Sequence, residues 1–461
     1  MEAPADLGPE AVALLGEVTA RAARAGTKFR SETAREGADL VIRLEASWAG
    51  ESRPERPEGS YRLSRAPFAP AAGIGGDGFS PVSSAELLKD GVSWEDCRAG
   101  LVELFPLDEI RPPETALPVS GRAADDPGYP LVREVRARLE IRNPRGRRAE
   151  AVARRILEGL EEDGGGSGAL PDILWIAGAG DLMIGRGIDL RLRTGGPEAV
   201  FDTGVLDVLR SVDLSAANLE GALTDRGRPA GKAYTFRSRP AASEALAASG
   251  LDVLLLANNH SLDWGPEGLS DTRAALEGAG IAAVGAGEDA EVACRPYRTE
   301  IRGRAVAVFG AAAFPRERSG WDGSAVAARP DRSGICWLDG ERLRRFRDET
   351  RADTLDIVLL HGGEEWSRAP SRDIRRVAED LVDAGADVLL GSHPHVVQGM
   401  EWIRGKPVFW SLGNFVFPGM DGTPGGEEGL LVRLGFLDGR LLYLIPVPLA
   451  LSAAGVRSAG R

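Results

Sequence analysis

Cysteine, histidine and lysine are all scarce in this chain of 461 residues, and each scarcity excludes something. The three cysteines, Cys97, Cys294 and Cys336, lie far apart and form no C-x-x-C pair, which argues against a disulfide framework or a zinc knuckle. Four of the 56 basic residues are lysine (Lys28, Lys89, Lys232 and Lys406) and the rest are arginine, a bias shared with alanine and glycine that reflects coding preference. Basic charge is also outnumbered: 69 acidic residues leave a formal net charge of -13, so a nucleic acid is excluded as the main partner. Long apolar runs are missing as well. The stretch LLYLIPVPLALSAAG is broken by Pro446 and Pro448 and falls short of the roughly 20 apolar residues of a spanning helix. The first residues, MEAPADLGPE, show neither a basic n-region nor an apolar h-region.

What is present is an ordinary globular balance, with 43% hydrophobic and 27% charged residues. At ~150 residues per domain the length suggests two or three domains. The segment EEDGGGSGALPD (161–172) reads as a flexible linker. It divides an accessory α/β domain at 1–160 from a larger domain at 173–461. In the larger part, apolar runs alternate with amphipathic stretches: ILWIAGAGD (173–181), LSAANLE (214–220), VLLLANNH (253–260), AVAVFGAAA (305–313), IVLLHGGEE (357–365) and VLLGSHPH (388–395). Runs that are apolar throughout read as strands buried on both faces, and the alternation implies an α/β domain. SRDIRRVAEDLVDAG (371–385) is the clearest helix, with Ser371 as N-cap and Gly385 as its stop. The tail strands after Pro407 lack helices between them and suggest a more antiparallel region.

In the first part, ADLVIRLEAS (38–47) reads as a strand, GLVELFPLDEI as a short strand entering a turn, and VREVRARLEIRN is ambiguous. The stretch YRLSRAPFAPAAG followed by SSAELLKDGVSWEDC resembles the outline of a type II periplasmic solute-binding domain; an unrelated small α/β accessory domain fits it as well.

All four histidines of the chain end apolar runs: His260, His361, His393 and His395. Carboxyl ends of strands in α/β sheets are where ligands bind, and histidine is the commonest metal ligand. Asp181, Asn218, Glu220 and Asn259 end neighbouring runs. Mixed oxygen and imidazole donors suit one or two divalent transition metals, Mn²⁺, Fe or Zn²⁺, better than Ca²⁺ or Mg²⁺. Pro394 between His393 and His395 suggests extended chain, in which both imidazoles face one way. The GAGDLMIG stretch has the wrong spacing for a dinucleotide fingerprint.

The blocks GDLMIGRGID, NLEGALTD, ANNHSLDWGPEGLSDTRAALEGAGIAAVGAG, LLHGGEEW and DAGADVLLGSHPHVVQGMEWIRGKPVFWSLGNFVF resemble, in order, the CapA family of capsule, or poly-γ-glutamate, synthesis proteins, in the calcineurin-like metallophosphoesterase superfamily. The resemblance implies a four-layer α/β/β/α sandwich with a metal site at the strand ends. It implies Asp181, Glu220, Asn259, His361, His393 and His395 as metal ligands, and His260 as the proton donor. Asp263 and Arg186 join His260 as candidate catalytic residues, and Asn218, Glu365 and Asn414 as candidate substrate contacts. The partners implied are an anionic surface polymer or its precursor and membrane-bound capsule synthesis proteins. The location implied is the cell envelope, with a native export signal or anchor expected in addition to this chain. Two departures stand out. Met183 occupies a position where the wider superfamily has a histidine, which points toward a mononuclear site. Gly362 replaces an aromatic after His361, which suggests a more open pocket wall. The resulting function is a metal-dependent hydrolase in polymer synthesis or attachment; the rival is a non-catalytic polymer- or peptide-binding protein with a structural metal.

Overall fold

Apolar runs without alternation bury both faces, and in the computed structural model they become the inner strands of two sheets. The structure describes residues 40–48, 60–73, 104–106, 114–116, 122–126, 132–141, 171–315, 322–420 and 422–459. Most of the Gly-rich segment at 161–172 lies outside them, as does SSAELLKDGVSWEDC. The chain forms two compact units, one of Met1–Ala72, Asp90–Ile110 and Ala116–Asp172, the other of Gly73–Lys89, Arg111–Thr115 and Ile173–Arg461. The first holds strands Leu40–Trp48, Ser60–Gly73, Leu104–Pro106 and Val132–Ile141 in an antiparallel sheet. VREVRARLEI (132–141) is thus a strand.

The second unit carries β1 (Leu174–Leu182), β2 (Leu214–Leu219), β3 (Val253–Leu255), β4 (Arg304–Ala313) and β5 (Thr354–Gly362). These are followed by β6 (Val388–Ser392), β7 (Lys406–Phe409), β8 (Asn414–Val416), β9 (Glu428–Leu437) and β10 (Arg440–Ser452). One sheet runs Ala282–Val284, β3, β2, β1, β9, β10, Gly455–Ser458, with β8 paired to β1. Its β1–β2–β3 core is parallel and its β9–β10 flank antiparallel. The other runs Tyr297–Ile301, β4, β5, β6, β7, Met400–Ile403, with β4 to β7 parallel. Among the described residues no helix is long and apolar enough to cross a membrane.

The glycines of GAGD explain how closely elements meet. A methyl at Gly178 would lie 2.6 Å from Leu390 Cδ1 on β6, and one at Gly180 would lie 1.9 Å from the Gly413 carbonyl oxygen. Those glycines serve close packing, and the Gly413 carbonyl accepts from Asp181 N at 2.9 Å. On the second sheet the helix Arg372–Asp383 buries Ile374, Ala378, Leu381 and Val382 against Ala307, Phe309, Val358, Leu360 and Leu389. Each large side chain so buried contributes about 1.5–3 kcal/mol. Ser371 caps the helix, its side chain accepting from Ile374 N, and Gly385 follows with φ 116°.

Two expectations are corrected here. Cys294 and Cys336, 42 residues apart, form a disulfide with Cα atoms 4.9 Å apart. Strand Ala286–Gly287 pairs with Gly334–Ile335 and brings the two cysteines together. Gly362 does not open the pocket: a side chain there would meet the Ala313 carbonyl oxygen at 2.5 Å and Ile374 Cδ1 at 2.7 Å, so the position is already filled.

Asp356 on β5 gives a pH-dependent term. Burial and the nearby Asp387 carboxylate raise its pKa from 3.8 to about 6, against a hydrogen bond from Arg351 N. The folded carboxyl therefore holds its proton more tightly than the unfolded one. It costs nothing below the unfolded value and its full amount above the folded value. Asp356→Asn is expected to raise stability at pH 7 by about 1–2 kcal/mol, with the advantage over wild type fading as pH falls through 6 to 4. Urea unfolding of both proteins at three pH values checks it.

Candidate metal centre

Carboxyl ends of parallel strands from both sheets converge on one buried cluster. Asp181 ends β1, Asn218 ends β2 with Glu220 just beyond, and Asn259 and His260 follow β3. His361 ends β5, and His393 and His395 follow β6. All of these side chains are buried. Asp181, Glu220 and His395 place one donor atom each within 4.8 Å of one another.

Asp181 is the hub. Its Oδ2 lies 3.2 Å from His395 Nδ1 and accepts from His393 N at 3.2 Å. Its Oδ1 accepts from Asn218 Nδ2 at 2.8 Å and lies 3.8 Å from His361 Nδ1. Asn258 Nδ2 in turn donates to Asn218 Oδ1 at 2.9 Å, which fixes the amide. His361 sits between Ser392 Oγ at 3.1 Å and Asn259 Oδ1 at 3.2 Å. Asn414, on β8, accepts at Oδ1 3.0 Å from His395 Nδ1 and donates to the His395 and Gly426 carbonyls.

His393 and His395 are not in extended chain. Their φ values are 101° and 58°, in the left-handed region that non-glycine residues rarely adopt. The bend is held by His393 N on Asp181 and by Trp366 N on the Pro394 carbonyl at 2.8 Å. It still delivers both imidazoles to the cluster, with ring centroids 6.2 Å apart.

Within the cluster, buried Glu220 Oε1 and His393 Nδ1 lack any hydrogen-bond partner. His395 Nε2 and His260 Nε2 face Glu220 Oε1 at 3.5 and 3.7 Å without bonding it. Buried polar atoms are almost always satisfied, so convergent unpaired donors fit a cation. The protonation pattern agrees. Burial and the neighbouring positive His395 push His393 down to about 3, and His361 is likewise held well below the usual range, so both imidazoles are neutral. Burial opposes charge on His395, but Glu220, Asp181 and Glu365 overcome it and push it up to about 10. Burial, with Asp181 and Glu365 adding to it, opposes charge on Glu220, and the positive His395 favours it, so the two side chains compete for one proton. A group of this kind could hold a metal ion, whose ligands must be deprotonated.

Beside the cluster His260 Nδ1 bonds Asp263 Oδ2 at 2.7 Å, which turns Nε2 toward Glu220. Asp263 also accepts from Phe236 N at 2.7 Å and pairs with Lys232 Nζ at 3.2 Å. Lys232 Nζ further donates to the Asn259 carbonyl at 2.5 Å. Lys232 belongs to no sequence motif, and only the rarity of lysine in so arginine-rich a chain sets it apart. Lys232→Met is expected to cost about 2 kcal/mol by leaving the buried Asp263 carboxylate short of a partner. Chemical denaturation against wild type checks it.

The remaining predicted residues lie at the margin. Arg186 is exposed, its Nη1 donating to the Pro418 carbonyl at 2.7 Å, and its guanidinium lies 5.4 Å from the Phe236 ring that stacks on His260. Glu365 is half-buried and acts on Glu220 and His395 through its charge. Met183 is buried with Phe236 and Phe417, its sulfur accepting from Gly185 N. Aromatic walls were not anticipated: Phe314 packs on His361 and His393, and Phe417 and Trp366 on His395.

Residues 176–419, more than half of the chain, match the family described as Bacterial capsule synthesis protein PGA_cap. The chain is 32% identical over 317 residues to a "Probable polyglutamine synthesis accessory protein" of Mycobacterium tuberculosis, covering 59% of this chain and 80% of that one. It is 30% identical over 251 residues to "PGA biosynthesis protein CapA" of Bacillus subtilis, covering 53% of this chain and 64% of that one. It is also 30% identical over 282 residues to "Capsule biosynthesis protein CapA" of Bacillus anthracis, covering 59% and 66% respectively.

Proposed function

The chain belongs to the bacterial capsule synthesis protein family, and from that premise we propose that it is a metal-dependent hydrolase acting in the synthesis or attachment of an anionic surface polymer of the poly-γ-glutamate kind. The observation that carries the reading is the buried Asp181–Glu220–His395 cluster, with Glu220 Oε1 unpaired and His260 held beside it. Asp181, Glu220 and His395 would hold one ion. Asn259, His361 and His393 would supply donors for a second. A divalent transition metal bound there supplies Lewis acidity toward a phosphoester or acyl centre and makes water nucleophilic near neutral pH.

The chain's own groups do the rest. Asn258 and Asn218 hold the Asp181 carboxylate in place, and Asn414 holds His395. Asp263 fixes the His260 tautomer with the proton on Nδ1, leaving Nε2 free to accept a proton from water and, once it holds that proton, to pass it to a leaving group. Phe236, Phe314, Phe417 and Trp366 exclude bulk water from the imidazoles. In this reading the two sheets, with helices on their outer faces, form a four-layer sandwich. The Cys294–Cys336 disulfide supports an oxidising location outside the cytoplasmic membrane, where membrane-bound capsule synthesis proteins would be partners.

Met183 favours the second reading, a polymer- or peptide-binding protein with a structural metal, because a buried thioether stands where a further donor would be. Turnover separates the two. Full-length chain loaded with Mn²⁺, Fe²⁺ or Zn²⁺ should hydrolyse p-nitrophenyl phosphate, and His260→Gln should slow it by about 10²–10⁴-fold while keeping its metal. No turnover by any metal-loaded form supports the binding reading.

A further inference from the structure

Both sheets of the second unit present an edge strand to one cleft. Ala282–Val284 ends the first sheet and Tyr297–Ile301 the second. Ala282, Ala283 and Tyr297 line a cleft of about 490 Å³ together with Val292, Arg273 and Arg295. That volume falls within the range of about 300–1,000 Å³ usual for ligand sites, and none of these residues belongs to the metal centre.

The ladder fixes which backbone groups face the cleft. Ala282–Val284 runs parallel to β3, with Ala282 N donating to the Asp252 carbonyl and the Val284 carbonyl accepting from Leu256 N, both at 2.8 Å. Bonding direction alternates along a strand, so the amide and carbonyl of Ala283, between those two residues, point away from β3. Among the described residues no strand pairs with that outer side. Exposed edges are usually guarded by proline, lysine or an inward charge. This edge carries none of them, and at Gly280 just before it nothing lies within 4 Å of where a side chain would begin.

The walls add charge and shape. Val292 is half-buried and Pro296 buried, which makes the floor apolar. Arg295 is exposed and pairs with Glu291 at 3.1 Å, and Arg273 pairs with Glu288. Exposed ion pairs of this kind contribute little, so an incoming carboxylate displaces Glu291 or Glu288 at small cost. Cys294, bonded to Cys336, ties down the wall between Val292 and Arg295, and a preformed wall lowers the cost of binding.

We propose that this cleft takes an extended, acidic α-peptide segment of a partner protein, which adds as a strand along Ala282–Val284. Main-chain bonds to Ala283 would supply the affinity, and the apolar floor and the two arginines the selectivity. The inference does not depend on the function proposed above. It also excludes a γ-linked polymer as the occupant, because the extra methylenes in each unit break the spacing of a strand ladder.

The test titrates a labelled peptide, Val-Thr-Val-Glu-Val-Thr, into full-length protein by fluorescence anisotropy. Methylating alternate peptide amides should abolish binding, and replacing its Glu with Lys should weaken it several-fold. Ala283→Pro removes the outward N–H alone, which an edge strand tolerates, and should weaken binding about tenfold. Arg295→Glu, an exposed substitution that leaves the fold intact, should weaken it several-fold, which keeps the test decisive if Ala283→Pro fails to fold. A γ-linked glutamate decamer should not compete. The proposal is overturned if the protein binds no peptide, if amide methylation or Arg295→Glu changes binding by less than about twofold, or if the decamer competes equally. It is also overturned if sedimentation shows a dimer of this chain that Ala283→Pro dissociates, since a second copy would then be the occupant. Each of these outcomes leaves the metal centre untouched.

Discussion

His395→Ala is expected to lose most of the thermal stabilisation that Mn²⁺ gives the wild-type chain. His395 is the imidazole that both carboxylates share, with Nδ1 3.2 Å from Asp181 and Nε2 3.5 Å from Glu220. A ligand that binds only the folded state at about a thousand times its Kd stabilises by about 4 kcal/mol. Removing one of three donors and leaving two buried carboxylates facing each other should abolish that gain. The metal-free variant should also be less stable than metal-free wild type at neutral pH, because the cation that balanced those carboxylates is gone. Calorimetric unfolding with Mn²⁺ and with EDTA measures both effects. A variant whose transition still rises with Mn²⁺ as far as wild type would remove His395 from the ligand set.

The second large effect is covalent. Closing a loop between Cys294 and Cys336 removes conformational freedom from the unfolded chain, and for a separation of 42 residues the chain-entropy account gives about 4 kcal/mol. The double variant Cys294→Ser, Cys336→Ser should be less stable by that order, within the ~2–4 kcal/mol typical of disulfides. Its consequences should reach the centre. Trp337, next to Cys336, packs edge-on against Phe314, and Phe314 packs on His361 and His393. Unfolding by guanidinium without reductant measures the loss, and in unreduced wild-type protein Cys294 and Cys336 should not react with a thiol reagent. Reaction of all three cysteines would contradict the bridge.

Much of the second unit was legible because burial on both faces leaves an unbroken apolar signature in β1, β5 and β6, and because helix punctuation around Ser371 and Gly385 is local. The centre was legible for a related reason: polar residues ending apolar runs must be satisfied by something, and Asp181, Glu220, Asn259 and the four histidines do end them. What failed to show were features set by distant chain. The His393 and His395 backbone is bent by bonds to Asp181 and Trp366, against the extended preference that Pro394 imparts. The disulfide depends on a strand pair at Ala286 and Ile335 that no cysteine spacing announces. Gly362 looked like missing bulk, whereas Ala313 and Ile374 already occupy the space. Phe314 carries no motif and becomes a wall of the centre only through the fold.

The most direct measurement of the central claim is elemental analysis of the full-length chain, reconstituted with Mn²⁺, Fe²⁺ or Zn²⁺ at neutral pH and then freed of loose metal. The converging donors of Asp181, Glu220 and His395, with Asn259, His361 and His393 beside them, predict one or two tightly held transition-metal ions per chain. The same donors predict that the paired substitution of His393 and His395 by alanine removes most of that metal. Wild-type protein that retains no metal after reconstitution would contradict the account.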